Sequence, residues 1–377
     1  MTGTSSEDVN ILSSVSIFFA VEEAERTRLT YLITGLQYGG ANIGMVRLLS
    51  KLSQDEFDIT VVSLVETPHD VVDQLPDHVR VVPLEISSPL EIYRISRLIP
   101  LLRQTDILVC SLFHATAVGI PIATLMRVPT KLVWQHSTHY PSSTREYGYR
   151  LFYCFVDYLL ADSHAVSESI TDNQGVSKSK IQKLPIAGIN TNVFSPRFDG
   201  SDSEKILVAT VGRLVEAKGY SELVEVAKMV DGEYEFNIVG TGPERERFES
   251  KAPDNVQFKG RVENKEIPSV LSSCDLYFQP SHYEGLCMTV IEAMACELPV
   301  VASAVGGITE SVVPEETGFL CQPKDVECFS ERIRQLGNDP ELRTRMGRRG
   351  RERVKENYSA EALADAFRDT LAAAEKQ

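Results

Sequence analysis

The sequence predicts an α/β protein built from two doubly wound, Rossmann-like domains that face each other across a cleft. Three observations carry this. At 377 residues the chain is too long for one ordinary domain and suits two, each large enough to bury a core. Short β-branched runs alternate with amphipathic segments, the pattern of βαβ units in a parallel sheet covered by helices. That alternation stops once, in a polar stretch containing Pro and Gly, and then begins again.

Taken in order, RLTYLIT, DITVVSL, HVRVVPL, DILVCSL and KLVWQH read as strands of the first domain, with ANIGMVRLLSKLS as the helix after the first of them. The interruption is NTNVFSPRFDGSDSE, which places a linker near residues 188 to 204. KILVATVGR, YEFNIVG, NVQFKG, CDLYFQP and LPVVAS then read as the second set of strands, and YSAEALADAFRDTLAAAE as a closing helix. The expected division is a tail over 1–27, a first domain over 28–190, a second over 191–356 and a final helix over 357–377. In the tail, ILSSVSIFFAV is apolar, but it is flanked by acidic residues and too short to span a bilayer. LEIYRISRLIPLLRQ, with Arg94, Arg97 and Arg103, is expected to be helical with an interruption at Pro100; it either packs on its sheet or rests on anionic lipid.

With 43% hydrophobic and 24% charged residues the composition is that of a soluble globular protein. A formal charge of -15 excludes nucleic acid as the main partner, because no broad phosphate-neutralising field is present. The seven cysteines show no C-x-x-C or Cys/His ligand spacing, and their odd number leaves no complete disulfide framework, which points to a reducing cytoplasm. No compact His/Asp cluster suggests a metal.

Ligands of such sheets bind where strands run into loops, so the informative residues lie just after strands. GLQYGG lacks the G-x-G-x-x-G spacing and VGTGPE carries only its first half, which makes a hydride-transfer enzyme the weaker reading. Gly39 and Gly40 still permit close approach of a phosphate at a helix start, or they serve only a tight turn. Arg213 directly follows a strand and Lys218 lies in the next loop; together they suit a diphosphate, and separately they are surface cations. In EGLCMTVIEAM, Glu284 belongs to a loop and Glu292 to the following helix, with Gly285 to Met288 presenting N–H groups at the helix start. A glycosidase needs two carboxyl groups flanking a scissile bond. Here one carboxylate precedes an anion seat and the other lies further along the helix, as acceptors for sugar hydroxyls would; Glu292 also reads as a half-buried helix residue satisfied by a neighbour.

The ordered set GGAN, GINTNVFSP, VGRLVEAKG, VGTGPERE, FKGRVENKEIP, EGLCMTVIEAMACELPVVASAVGGITESV and ETGFL resembles the retaining glycosyltransferases of family four, the group 1 glycosyltransferases of GT-B fold. The similarity runs from about Arg28 to the end and is densest between Ile206 and Leu320. By resemblance, Glu284 and Glu292 match the family's E-x7-E pair, the first contacting donor-sugar hydroxyls and the second the ribose. Arg213 and Lys218 match the basic pair on the donor diphosphate; Gly285, Leu286 and Cys287 match the loop that closes on sugar and phosphates. Arg261 and Val262 fall where the base is held, and Gly39 and Gly40 match the glycine turn near the donor phosphate and acceptor. His136 is similar to the first-domain histidine beside the donor sugar, with His139 as its competitor. Two positions depart from the pattern. Asn42 stands where Glu is common, which bears on the acceptor contact, and Cys287 replaces a smaller residue or proline and is expected to narrow the sugar pocket.

The resemblance implies metal-independent transfer from a nucleotide-diphosphate sugar to a hydroxyl acceptor, with retention and with no cofactor beyond the donor. It also implies that the last helix crosses back to the first domain. A nucleotide-sugar epimerase of the same fold, or a non-catalytic nucleotide-sugar binding protein, are the rival readings.

Overall fold

A computed structural model describes residues 26–37, 39–65, 69–138, 143–196, 204–230 and 232–374. The apolar tail segment and His139 lie outside the described residues. The first sheet holds β1 (Thr27–Ile33), β2 (Phe57–Ser63), β3 (Arg80–Pro83), β4 (Ile107–Ser111), β5 (Thr130–Gln135), β6 (Tyr158–Ala161) and β7 (Ile181–Lys183), in the order β3-β2-β1-β4-β5-β6-β7 and parallel throughout. Its helices are α1 (Gly40–Leu49), α2 (His69–Val72), α3 (Leu98–Leu102), α4 (Phe113–Met126), α5 (Ser143–Phe152) and α6 (His164–Gln174). The second sheet holds β8 (Ile206–Val211), β9 (Tyr234–Val239), β10 (Val256–Gly260), β11 (Leu276–Gln279), β12 (Val300–Ser303) and β13 (Gly318–Cys321), in the order β10-β9-β8-β11-β12-β13, again parallel. Around it lie α7 (Tyr220–Met229), α8 (Arg245–Glu249), α9 (Ile267–Ser272), α10 (Met288–Ala295), α11 (Ile308–Ser311), α12 (Val326–Asn338) and α13 (Pro340–Asn357), and α14 (Ala360–Ala374) ends the described chain.

In both sheets the strand order reverses beside the first strand, between β1 and β4 and between β8 and β11. Those are the switch points where loops part and leave room for a ligand. The strands read as unbroken apolar runs because helices cover both faces: β4 is buried at all five residues and β11 at all four. Three strands were not legible in the sequence. YLLA, IQK and GFLC form β6, β7 and β13, runs of only three or four residues at or beside a sheet edge, too short to show a period.

One core cluster passes through both units. It joins Trp134 of β5 to Val290 and Ile291 of α10 and to Phe367 of α14. Phe367 stacks on Trp134 with ring centroids 6.4 Å apart, and Lys51 pairs with Glu361 at 2.7 Å and Arg368 with Glu56 at 3.1 Å. The last helix therefore packs on the first sheet.

Two sequence expectations are corrected. LEIYRISRLIPLLRQ is a 3-10 turn over Pro89–Arg97 that runs into α3. Pro100 does not interrupt it, since a proline in the first helical turn lacks only an N–H that needs no intrahelical partner. Cys321 and Cys328 form a disulfide, against the expectation of no such framework. The turn from β13 into α12 brings their Cα atoms to 6.0 Å, a proximity that seven-residue spacing does not announce. Five other cysteines are free.

Candidate active site

On the second sheet, β11 ends at Gln279 and the chain passes through Glu284 before α10 begins. Oε1 of Glu284 accepts hydrogen bonds from Lys218 Nζ at 2.6 Å and from Ser281 Oγ at 2.7 Å. Lys218 closes the 3-10 turn after β8, and Gly219 follows it at φ +69°. A Cβ at Gly219 would stand 1.9 Å from the Pro280 carbonyl oxygen, so only glycine lets the two loops touch. Burial is the largest influence on the Lys218 pKa and by itself would lower it; Glu284, by charge and hydrogen bond, together with Cys287 and Tyr220 outweighs burial and raises it. Arg213 is exposed and forms no ion pair among the described residues. The two expected clamp cations thus differ: one is committed to Glu284 and the other is open to solvent.

Cys287 adopts a left-handed backbone at φ 63° and heads α10. Leu286 and Cys287 are buried in the core. The thiol meets Thr289 Oγ1 at 3.7 Å, and burial, with Glu284 adding to it, pushes its pKa up to about 12. Gly285 is one point of contact between the two units. A Cβ there would lie 2.1 Å from the His136 carbonyl oxygen, and its own carbonyl accepts from Ser163 Oγ at 3.0 Å and from Gly307 N at 2.7 Å.

His136 follows β5 and its side chain is 12% exposed. Nδ1 donates to Asp162 Oδ2 at 2.9 Å, Trp134 Nε1 donates to Asp162 Oδ1 at 2.8 Å, and Nε2 shares a 2.7 Å bond with Ser111 Oγ. Ser111 ends β4 and Asp162 follows β6. Sequence reasoning missed both; their one signal was position at a strand end. His136 borders a cavity of about 380 Å³ with Leu112, Phe113, Arg145, Tyr149 and Tyr283.

Glu292 is bound by the Arg47 guanidinium at 2.6 Å. This reaches across from α1, a residue the sequence did not single out. Arg261 and Val262 border a second cavity, about 750 Å³, together with Arg47, Asn190 and Phe194. Gly39 has extended backbone at φ 177°, which any residue adopts; Gly40 faces Met288 of α10, whose Sδ would lie 3.2 Å from an added Cβ. Asn42 turns inward, where its amide donates to the carbonyls of Gly35 and Gln37. Its amide nitrogen is taken up by the β1–α1 loop, while its buried Oδ1 has no partner among the described residues. Among the described residues no cluster of His, Cys, Asp or Glu suits a metal ion, and no helix is long and apolar enough to cross a membrane.

Two parallel sheets with facing switch points and a shared cleft define a GT-B protein. HepE of Anabaena, solved in complex with UDP, superposes with a TM-score of 0.81 at 18% identity, over 92% of this chain and 100% of that one. Sucrose-phosphate synthase of Thermosynechococcus elongatus gives 0.77 at 24%, over 92% and 100%. Residues 194–353 match the family model described as glycosyl transferases group 1. Among curated relatives, the sulfoquinovosyl transferase SQD2 of Arabidopsis thaliana is 29% identical over 76% of this chain and 60% of its own length. A GDP-mannose-dependent monoacylated alpha-(1-6)-phosphatidylinositol monomannoside mannosyltransferase of Corynebacterium glutamicum is 30% identical over 52% of this chain and 57% of its own. The chain spans less than two thirds of the length of either relative.

Proposed function

We propose that the protein is a retaining glycosyltransferase that moves a sugar from a nucleotide-diphosphate sugar to a hydroxyl acceptor without a metal or cofactor. The observation that carries this reading is the Glu284–Lys218 pair set against the turn that heads α10, with Glu292 on the same helix. In this reading the N–H groups of the 285–288 turn seat the diphosphate, and Arg213 and Lys218 neutralise it. They bind more tightly as the glycosidic bond breaks and negative charge moves onto the leaving group, which is what lowers a barrier. Glu284 accepts from the sugar hydroxyls, Glu292 from the ribose, and Arg261 with Val262 borders the base. His136, held by Asp162, stands beside the donor sugar in this reading, with the leaving phosphate taking the acceptor proton on the same face of the sugar. The first unit, 28–190, serves the acceptor and the second, 191–356, the donor.

The test is incubation with UDP-, GDP- and ADP-sugars in the presence of a chelator, following diphosphate release and the anomeric form of the product. One donor turned over with its configuration kept is the expected result. An epimerised donor in the absence of acceptor, or binding without turnover, would replace this reading with one of its rivals.

A peripheral, cytoplasmic site at a membrane belongs to the same proposal. Leu90, at 88% exposure, Ile92, Tyr93, Leu125, Leu151 and Phe155 are exposed apolar residues on the helical layer over one face of the first sheet. Arg97, Arg127 and Arg150 are exposed beside them. A layer of this kind suits an anionic bilayer surface. Co-sedimentation with vesicles containing anionic lipid at low salt, abolished by Ile92→Glu, is expected; absence of sedimentation refutes it.

A further inference from the structure

Arg47 and Glu292 join α1 to α10 across the two units at 2.6 Å, with side chains only 13% and 9% exposed. A second Arg47 nitrogen donates to the Ala187 carbonyl at 2.9 Å, and its guanidinium carbon lies 5.3 Å from the centre of the Phe194 ring. Three fixed points hold this side chain at the wall of the 750 Å³ cavity that Arg261 and Val262 also border. Glu292 uses Oε1 for the bond, and its carboxylate makes no other hydrogen bond among the described residues. Two helices that needed only to be joined would be joined at least as well by apolar side chains, because withdrawing an ion pair from water is costly. A charged pair at a cavity wall with one carboxylate oxygen unused has the form of a site still short of a donor.

We propose that Arg47 is a positioning and specificity residue of the nucleotide site, which fixes the Glu292 carboxylate so that its second oxygen accepts a ribose hydroxyl. Arg47 and Glu292 come from opposite units, so ribose recognition is complete only in the closed cleft. This rests on the donor reading above and adds a first-unit residue to the ribose site. A site that accepts from a hydroxyl discriminates strongly against a ligand lacking it, since the buried acceptor is then left unpaired.

The experiment is calorimetric binding of UDP, GDP and ADP, of their 2′-deoxy forms, and of inorganic pyrophosphate. For the best nucleotide, the ribose form is expected to bind at least ~10-fold more tightly than the deoxy form to the unmodified protein. Arg47→Ala and Glu292→Gln are each expected to remove most of that preference, the double variant to remove no more than either alone, and Arg47→Lys to restore part of it. Pyrophosphate, which samples the phosphate seat alone, is expected to bind all four variants as it binds the parent. A ribose preference kept in Arg47→Ala overturns the proposal and leaves the donor reading intact. So does an equal loss of nucleotide and pyrophosphate, which marks a structural role. If Arg47→Ala does not fold, the preference in Arg47→Lys decides, an undiminished ratio together with additive behaviour beside Glu292→Gln being the overturning result. Failure of every diphosphate to bind the unmodified protein refutes the donor reading and this proposal with it.

Discussion

At the scale of single residues, the Lys218–Glu284 pair is the place where charge, burial and backbone geometry meet. Lys218→Ala is expected to lower turnover about 100-fold, the size of loss typical when one preorganised charge-stabilising donor is removed, and to leave the circular dichroism spectrum unchanged. Glu284→Gln keeps an acceptor for Lys218 and Ser281 while losing the charge, so its deficit belongs in turnover more than in stability; a large fall in melting temperature with normal turnover would reverse that assignment. The direction of the Lys218 shift fixes a pH window. Its pKa is raised in the folded protein above the ordinary 10.5, so the stabilisation it contributes is complete below that value and is lost only as pH rises through the folded pKa. The pH profile of turnover is therefore expected to show no alkaline limb from Lys218 below 10.5, and a lower limb that disappears in Lys218→Arg would contradict this.

At the scale of elements, short loops and caps hold the site in register. Asp325 accepts from Cys328 N at 2.9 Å and caps α12, and Asp339 caps α13 through Leu342 N. Asp325→Ala is expected to cost about 1 kcal/mol in urea unfolding. Gly219→Ala meets both a left-handed backbone and the Pro280 carbonyl, and should cost about 2 kcal/mol or more while also reducing turnover, because the displaced loop carries Lys218. Normal activity in the Gly219→Ala variant would show that the two loops need not touch. β3, β11 and β12, four residues each, were legible inside the longer apolar stretches HVRVVPL, CDLYFQP and LPVVAS; β6, β7 and β13 were not, since neighbouring strands supply what their few residues lack.

At the scale of the whole molecule, α14 ties the end of the chain to the first sheet through Phe367 on Trp134. Phe367 is fully buried, and Phe367→Ala is expected to lose about 3 to 5 kcal/mol, read as a fall in the thermal midpoint. A change near zero would mean that the helix contributes little to joining the halves. The same interdigitation explains why one core cluster crosses from β5 to α10: the two halves meet through apolar packing and through polar contacts at Gly285 and Arg47.

The alternating apolar runs, the E-x7-E spacing and the strand-end cations were determined by the sequence alone, because period and spacing along a chain survive without coordinates. Which partners those groups find was decided by tertiary structure. Asn42 bonds to its own loop, Cys287 lies in the core, Cys321 meets Cys328, and Ser111, Asp162 and Arg47 come to the site from separate elements. Residues far apart in sequence meet only when the sheets are wound and the two halves packed, and no local pattern records that distance.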